Sequence, residues 1–333
     1  MTGCVAPTVP PYSNNTPVVL TTADEAGVRD LRGVYRTALC RRLPAADPPC
    51  DQLLLELAGE INSPPSAPQP GAAQRYRVVF VDGLLADCLD GIGRPFAETM
   101  EDLSHAGFAV YHLSVRERGS SEQNAAQLAR ELAALPRDPR PLIVFAYARG
   151  LPDVLELVVR YPEAAAAIGA IVSVAGAMNG SLLADRLDSV FRAWLSSLPI
   201  AECRREYRDE MLDLRRQARL AWWQRHRADI STPVFALVTT PRPDRLSPIL
   251  METYQALARI EPRNDGQLIW YDQIVPGGSL LGYVNADHWA VSMSMSRALP
   301  TLAFLFRDDV PRTALIEAAI ETVDATLGAR PAP

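Results

Sequence analysis

The sequence predicts an α/β domain in which a mostly parallel, doubly wound sheet is covered by helices on both faces. Three observations predict this fold class. Strand-like and helix-like segments alternate from residue 76 onward. The strand-like segments are nearly continuous apolar runs, which is typical of strands that are buried on both faces of a sheet. The chain has 333 residues, of which 48% are hydrophobic, so it can bury a core of that size.

The individual elements follow from local hydrophobic patterns. Strands are predicted in YRVVFVDG (76–83), FAVYHLSV (108–115), LIVFAY (142–147), IGAIVSVAG (168–176), TPVFALVTT (232–240) and SLLGYV (279–284). Helical spacing is found between them in RPFAETMEDLSHAG (94–107), SEQNAAQLARELAAL (121–135) and LPDVLELVVRYPE (151–163). Each predicted helix therefore connects two strands that we expect to run parallel.

The region before the first of these strands has a different composition. Residues 1–75 are expected to comprise a tether rich in Pro, Thr and Asn at 1–25, a short helical segment within 26–60 and a Pro-rich linker at 61–74. The α/β core is then predicted to comprise residues 76–180 and 232–333.

A long excursion interrupts the core at residues 181–231. It has the pattern of several amphipathic helices and contains Trp194, Trp222 and Trp223. Open α/β sheets bind their ligands at the carboxyl ends of the strands, which is where this excursion leaves the sheet. We therefore expect a helical cap over the site. Each tryptophan by itself is more often a packing residue than a substrate contact.

Composition and charge exclude several classes of partner and chemistry. The formal net charge is only −6 and the basic residues are scattered through helices, so no nucleic-acid partner is expected. All 33 basic residues are arginine, which excludes Schiff-base chemistry and P-loop nucleotide binding. No metal or cofactor is expected, because ligand spacing and a G-x-G-x-x-G turn after a strand are both missing. No apolar run reaches the roughly 18 residues of a transmembrane helix.

The first residues and the cysteines bear on the compartment. In MTGCVAP, the tripeptide TGC is similar to the end of a bacterial lipobox, which would make Cys4 a lipid anchor; the alternative is a chance match. The other four cysteines are compatible with two disulfides in an extracytoplasmic compartment. Proximity favours Cys40 with Cys50, and elimination then pairs Cys88 with Cys203. The alternative is four reduced, buried thiols.

The end of the strand at 142–147 carries the first motif with chemical meaning. Small residues stand at 146, 148 and 150 in Ala146-Tyr147-Ala148-Arg149-Gly150, as a tight turn between a strand and a helix requires. This pentapeptide resembles the G-x-S-x-G nucleophile elbow of the α/β-hydrolase superfamily. Ala148 then occupies the position of the nucleophilic serine.

Two further segments extend the resemblance. VVFVDGLLAD is similar to the strand and glycine turn that supply one N–H of the family's oxyanion hole, which maps to Leu84, and the other N–H would come from Arg149. GYVNADHWAV places His288 directly after a short apolar strand, as in the family's histidine loop. The remaining histidines lie in less suitable surroundings: His105, His112 and His226.

The acid of the predicted triad has two candidates. Asp265 lies in an NDG turn that resembles the acid loop of bacterial lipases, and the strand SLLGYV leads from there to His288. Asp244 follows the strand at 232–240, which is the common position in the superfamily. We prefer Asp265, although its alternative interpretation is a simple turn with Gly266. Asp272 and Asp287 are expected to be ordinary polar loop residues.

The resemblance implies a serine-type carboxylic ester hydrolase, of the esterase or lipase kind, that acts on an acyl or aromatic ester. Its substrate would be a small-molecule or lipidic ester. Because a methyl group cannot attack a carbonyl, the chain is expected to be inactive as written. An engineered serine-to-alanine variant is the preferred explanation, and the alternative is a natural pseudoenzyme or ligand-binding protein on the same fold. The oligomeric state stays open.

Overall fold

The computed structural model describes residues 27–44, 47–57, 59–60, 71–84, 86–89, 92–116, 119–200, 203 and 209–328. The predicted tether at 1–25, including Cys4, and most of the predicted linker at 61–74 lie outside the described residues.

Within the described residues, one sheet of eight strands forms the centre of the molecule. The strands are β1 (Arg29–Asp30), β2 (Leu54–Leu55), β3 (Arg77–Val81), β4 (Ala109–Leu113), β5 (Leu142–Tyr147), β6 (Ile168–Val174), β7 (Val234–Thr239) and β8 (Ser279–Val284). Their order is β1-β8-β7-β6-β5-β3-β4, and neighbours along this order are parallel. Only β2 is antiparallel, against β8. The predicted mostly parallel sheet is confirmed.

Helices cover the sheet and connect its strands. They are α1 (Arg32–Cys40), α2 (Cys50–Leu53), α3 (Ala72–Arg75), α4 (Ala86–Leu89), α5 (Ala97–His105), α6 (Ser121–Ala134), α7 (Gly150–Arg160), α8 (Pro162–Ala165), α9 (Asp188–Ser197), α10 (Asp209–Leu212), α11 (Arg216–His226), α12 (Met251–Ala258), α13 (Met295–Ala298) and α14 (Arg312–Gly328). Among the helices described, none has the length and apolarity to cross a bilayer.

The local sequence explains why the central elements form where they do. All six residues of β5 are buried, because the strand lies in the middle of the sheet and has helices on both faces. Helix α6 starts with a capping box, in which the Ser120 hydroxyl accepts from the Gln123 N–H and the Gln123 side chain accepts from the Ser120 N–H. Since β3, β5 and β6 are parallel neighbours, the turns that follow them meet at one edge of the sheet.

The segment at 26–60 differs from its prediction as a short helical segment. Besides α1, it contributes β1 and β2, which both pair with β8. Helix α1 packs against α14 and β8, where fully buried Tyr35 donates its hydroxyl hydrogen to the Leu315 carbonyl over 3.1 Å. A strand of two residues is too short to show an alternating pattern in the sequence. Its pairing is determined by the edge of β8 that it covers.

Both predicted disulfides are present. Cys40 and Cys50 connect α1 to α2, with 5.2 Å between their Cα atoms. Cys88 and Cys203 connect the segment after β3 to the excursion at 181–231 across 115 residues of sequence. Two disulfides indicate an oxidising, extracytoplasmic compartment.

The excursion at 181–231 packs in two different places. Its first long helix, α9, carries Trp194, whose indole N–H donates to the Ile249 carbonyl over 2.7 Å and whose ring meets Trp289 edge-on at 5.9 Å. Its last helix, α11, packs beside α7, where the Trp222 indole N–H donates to Glu156. The part of the excursion that carries Trp194 therefore neighbours the loop of His288, and the part that carries Trp222 does not.

Candidate active site

Ala148 lies at the sharp bend between β5 and α7, with a φ of 49°. The left-handed region costs a residue other than glycine about 1 kcal/mol, so a chain keeps such a residue only where the surroundings hold it. Here the Ala148 N–H donates to the Val174 carbonyl over 3.1 Å, and the Ala148 carbonyl accepts from the Ala177 N–H over 2.9 Å. The turn after β6 thus fixes the bend.

Two glycines allow the turn after β3 to touch this bend. A Cβ atom at Gly83 would lie 2.8 Å from the Cβ atom of Ala148, and one at Gly150 would lie 2.6 Å from the Asp82 carbonyl oxygen. Only a residue without a side chain permits these approaches, to the Ala148 side chain at Gly83 and to the backbone of Asp82 at Gly150. The N–H of Leu84 comes next in that turn, and within the described part of the chain it has no hydrogen-bond acceptor.

Arg149 immediately precedes α7, so its N–H lies at the positive end of that helix. Its side chain points away from solvent: the guanidinium donates to the Gly119 carbonyl and lies 4.0 Å from the Asp153 carboxylate. These contacts hold the buried side chain of Arg149 in place. The N-terminus of α7 and the turn that carries Leu84 therefore both lie beside the bend at Ala148.

His288 contacts Tyr147, the residue that precedes Ala148. The Tyr147 hydroxyl donates to the His288 carbonyl over 2.7 Å, and the two rings lie 5.3 Å apart. The His288 N–H donates to the Asp265 carbonyl over 2.9 Å. The side chain of His288 is 8% exposed, so little of the imidazole contacts bulk water. The sequence assigned Tyr147 no part in the site, because its contact spans 141 residues of chain.

Asp265 forms the other contact of the His288 ring. Its Oδ2 atom lies 2.8 Å from His288 Nδ1, and its Oδ1 atom accepts from the N–H groups of Gln267 and Leu268 over 2.9 and 2.7 Å. The NDG turn bends through Gly266, whose φ of 91° suits glycine. Because Nδ1 faces a carboxylate, it carries the hydrogen, and Nε2 stays free to accept a proton.

Asp244 takes a different position from Asp265. It lies on the surface in a short 3₁₀ helix, Pro243–Arg245, that follows β7. The structure therefore brings Asp265 to His288 and leaves Asp244 exposed to solvent. Of the other histidines with a described side-chain partner, His112 binds Asp82 over 2.5 Å and His226 binds Asp229 over 3.1 Å.

Asp272 and Asp287 are not the ordinary polar loop residues that the sequence suggested, because both are fully buried. Asp287 accepts from the N–H groups of Ser247, Trp289 and Ala290, and so shapes the loop that carries His288. Burial raises the pKa of Asp287 to about 6, although these hydrogen bonds act in the opposite direction. The polar composition of both loops did not indicate this burial, because it depends on packing between distant segments.

We expect the buried carboxyl of Asp272 to make the free energy of unfolding depend on pH. Burial raises the pKa of Asp272 to about 7. The guanidinium of Arg216, 3.0 Å away, lowers this pKa, but its effect is smaller than that of burial. The folded chain then holds this proton more tightly than the unfolded chain, so the free energy of unfolding falls as pH rises from about 4 to about 7. We expect Asp272→Asn to remove this contribution, at about 1.4 kcal/mol per pKa unit.

Urea unfolding of the parent and of Asp272→Asn at pH 5, 6, 7 and 8 measures the effect. The stability of the variant relative to the parent should rise from pH 5 to pH 7 and level off toward pH 8. The matched control is Asp244→Asn, the same change on an exposed carboxyl, which should follow the parent. A parallel pH profile for Asp272→Asn and its parent would contradict the assignment.

Comparison with solved structures finds proteins of similar fold. A metagenomic carboxyl esterase is 33% identical to the chain, with a TM-score of 0.81 over 94% of this chain and 97% of that one. The mature lipase BlEst2 of Bacillus licheniformis is 19% identical, with a TM-score of 0.54 over 72% of this chain and 94% of that one. EstA from Clostridium botulinum is 13% identical, with a TM-score of 0.54 over 75% and 87%. No protein-family model and no curated protein matches the chain.

Proposed function

The chain belongs to the α/β-hydrolase superfamily, and we propose that within it the protein is a serine-type carboxylic ester hydrolase in which Ala148 replaces the nucleophile. One observation carries the proposal: the Asp265–His288 hydrogen bond lies beside a strained strand-to-helix bend whose apex is a residue with only a methyl group. The similarity to a carboxyl esterase along nearly the whole chain supports the same reaction class.

The proposed mechanism assigns one task to each group. A serine hydroxyl at position 148 attacks the acyl carbonyl, and Nε2 of His288 takes its proton. Asp265 holds the imidazole through Nδ1 and stabilises the charge that forms on it. The N–H groups of Leu84 and Arg149, with the N-terminus of α7, receive the oxyanion. With a methyl group at position 148 the first step cannot occur.

The proposed substrate is an ester with an apolar acyl or aromatic part. Leu84 packs against a cluster of buried apolar residues that includes Trp194 and Trp289. We assign the cap to the part of residues 181–231 that contains α9, because α9 brings Trp194 to the residue that follows His288. An apolar surface next to the turn of Leu84 favours the binding of an apolar substrate group over a charged one.

The alanine at position 148 has two explanations that lead to different functions. The retained Asp265–His288 pair favours a serine-to-alanine variant of an active esterase, since a protein released from catalysis has no need of an oriented imidazole. The second candidate is a natural protein that binds esters without cleaving them, and the observation in its favour is the methyl group itself.

We also propose that the protein is bacterial and extracytoplasmic, that is, periplasmic, an outer-membrane lipoprotein or secreted. The two disulfides support an exported protein. Cys4, which lies outside the described residues, is the proposed site of the lipid anchor.

A covalent intermediate tests the proposed reaction. The Ala148→Ser variant is mixed with a p-nitrophenyl ester, quenched in acid and analysed by intact mass spectrometry. We expect an added mass of one acyl group, located after digestion on the peptide that contains position 148, and no adduct on the unmodified chain. The matched control Ala175→Ser should give none. The proposal is overturned if short and long acyl esters neither modify Ala148→Ser nor are hydrolysed by it.

A further inference from the structure

We propose that the side chains of Thr239 and Gln273 position the Asp265 carboxylate for its bond to His288. Neither residue belongs to the machinery described above, and the inference rests on the proposed function. Thr239 is the last residue of β7, and Gln273 is the last residue of the 3₁₀ helix Trp270–Gln273. Both are fully buried.

The two oxygens of the Asp265 carboxylate have different partners. Oδ1 accepts from two backbone N–H groups of its own turn. Oδ2 meets three side chains: His288 Nδ1 at 2.8 Å, Thr239 Oγ1 at 2.6 Å and Gln273 Nε2 at 3.2 Å. A carboxylate without contact to water needs such donors to stay charged. The oxygen that orients the imidazole is thus itself oriented by Thr239 and Gln273.

The direction of the Gln273 amide is determined by backbone groups. Its Oε1 atom accepts from the Thr239 N–H over 2.8 Å, and its Nε2 atom donates to the Thr239 carbonyl over 3.0 Å. A backbone N–H can only donate and a carbonyl can only accept, so the amide cannot be reversed. The NH₂ group therefore faces Asp265, and Gln273 joins the end of β7 to the acid.

The direction of the Thr239 hydroxyl follows from its two neighbours. Its single hydrogen can go to Asp265 Oδ2 at 2.6 Å or to Gln273 Oε1 at 3.1 Å. The carboxylate is nearer and charged, and charged acceptors form the shorter and stronger hydrogen bonds. The hydroxyl therefore donates to Asp265, and its position is kept by the strand that carries it.

The kinetic arm of the test uses three substitutions in the Ala148→Ser background. Thr239→Val removes the hydroxyl at constant shape, Thr239→Ser retains it, and Thr240→Val is the matched control. The Thr240 hydroxyl is buried and has no partner among the described residues. We expect Thr239→Val to lower kcat about ten- to a hundredfold at unchanged KM, because the hydrogen bond to the charged acid matters most when the imidazolium forms. Thr239→Ser and Thr240→Val should stay near the background.

The spectroscopic arm uses the chain with Ala148 and needs no hydrolysis. The Nδ1–H of His288 is expected as a slowly exchanging low-field proton signal in NMR, assigned by its loss in His288→Ala. Thr239→Val and Gln273→Glu, which replaces the NH₂ donor by an acceptor, should speed its exchange or shift it. Thr239→Ser and Thr240→Val should not change it.

The two arms separate the inference from the proposed function. If Ala148→Ser fails to hydrolyse esters, the proposed reaction is wrong, and the NMR signal still decides whether Thr239 and Gln273 orient Asp265. The positioning inference is overturned if Thr239→Val leaves both kcat and the signal unchanged. It is equally overturned if Thr240→Val changes them as much as Thr239→Val, because a general effect on folding would then explain the loss.

Discussion

Ala148→Ser is expected to raise the rate of p-nitrophenyl ester hydrolysis by at least about a thousandfold, since removal of a serine nucleophile can cost about a millionfold. The proposed mechanism needs an imidazole whose Nε2 atom can accept the proton of this hydroxyl. His288 carries its hydrogen on Nδ1, toward Asp265, which leaves Nε2 to accept the serine proton. The backbone at Ala148 already has a φ of 49° with a residue other than glycine. Serine differs from alanine by one oxygen atom, so the substitution requires no new backbone conformation.

Two controls accompany this measurement. Ala175→Ser makes the same change at a fully buried alanine with a φ of 47°, and it should leave the parent rate unchanged. His288→Ala in the Ala148→Ser background should lose most of the gain. A folded Ala148→Ser variant that hydrolyses neither short nor long acyl esters above the parent rate would favour the ester-binding protein instead.

Asp265→Asn in the Ala148→Ser background is expected to lower kcat by about ten-thousandfold. Oδ1 accepts from two backbone N–H groups, whereas the donor to Oδ2 that cannot turn is the single NH₂ group of Gln273, so an asparagine would keep its carbonyl at the Oδ1 position and turn its NH₂ toward His288. Nδ1 would then have to accept, and the hydrogen would move to Nε2. An imidazole in that tautomer cannot take the proton of the serine.

The matched control is Asp244→Asn in the same background, since Asp244 is exposed to solvent and lies after β7. Its kcat should stay within about threefold of the background, because surface substitutions away from the site have small effects. If Asp244→Asn instead abolishes hydrolysis while Asp265→Asn does not, the roles of the two carboxylates are reversed.

Much of the fold could be predicted because its evidence is local. The strands β3 to β8 are apolar runs bounded by turns, and helices alternate with them, so a doubly wound sheet follows from the pattern. The small residues at 146, 148 and 150 predicted a tight bend. Proximity in sequence also suggested the pairing of Cys40 with Cys50.

Other features had no local signal. Thr239 and Gln273 meet Asp265 across 26 and 8 residues, and Gln273 has nothing in its own segment that marks it. The strands β1 and β2 exist because β8 offers them an edge. Asp272 and Asp287 resemble exposed loop residues until distant segments bury them.

The amino-acid sequence alone determined the alternation of elements, the bend at position 148 and the lack of a hydroxyl there, because these depend on neighbouring residues and on chemical identity. Only the tertiary structure decided which carboxylate touches the imidazole of His288 and which side chains orient it. Those contacts join segments that are far apart in the chain, and hydrogen-bond geometry over about 3 Å is set by packing of the whole sheet rather than by any one segment.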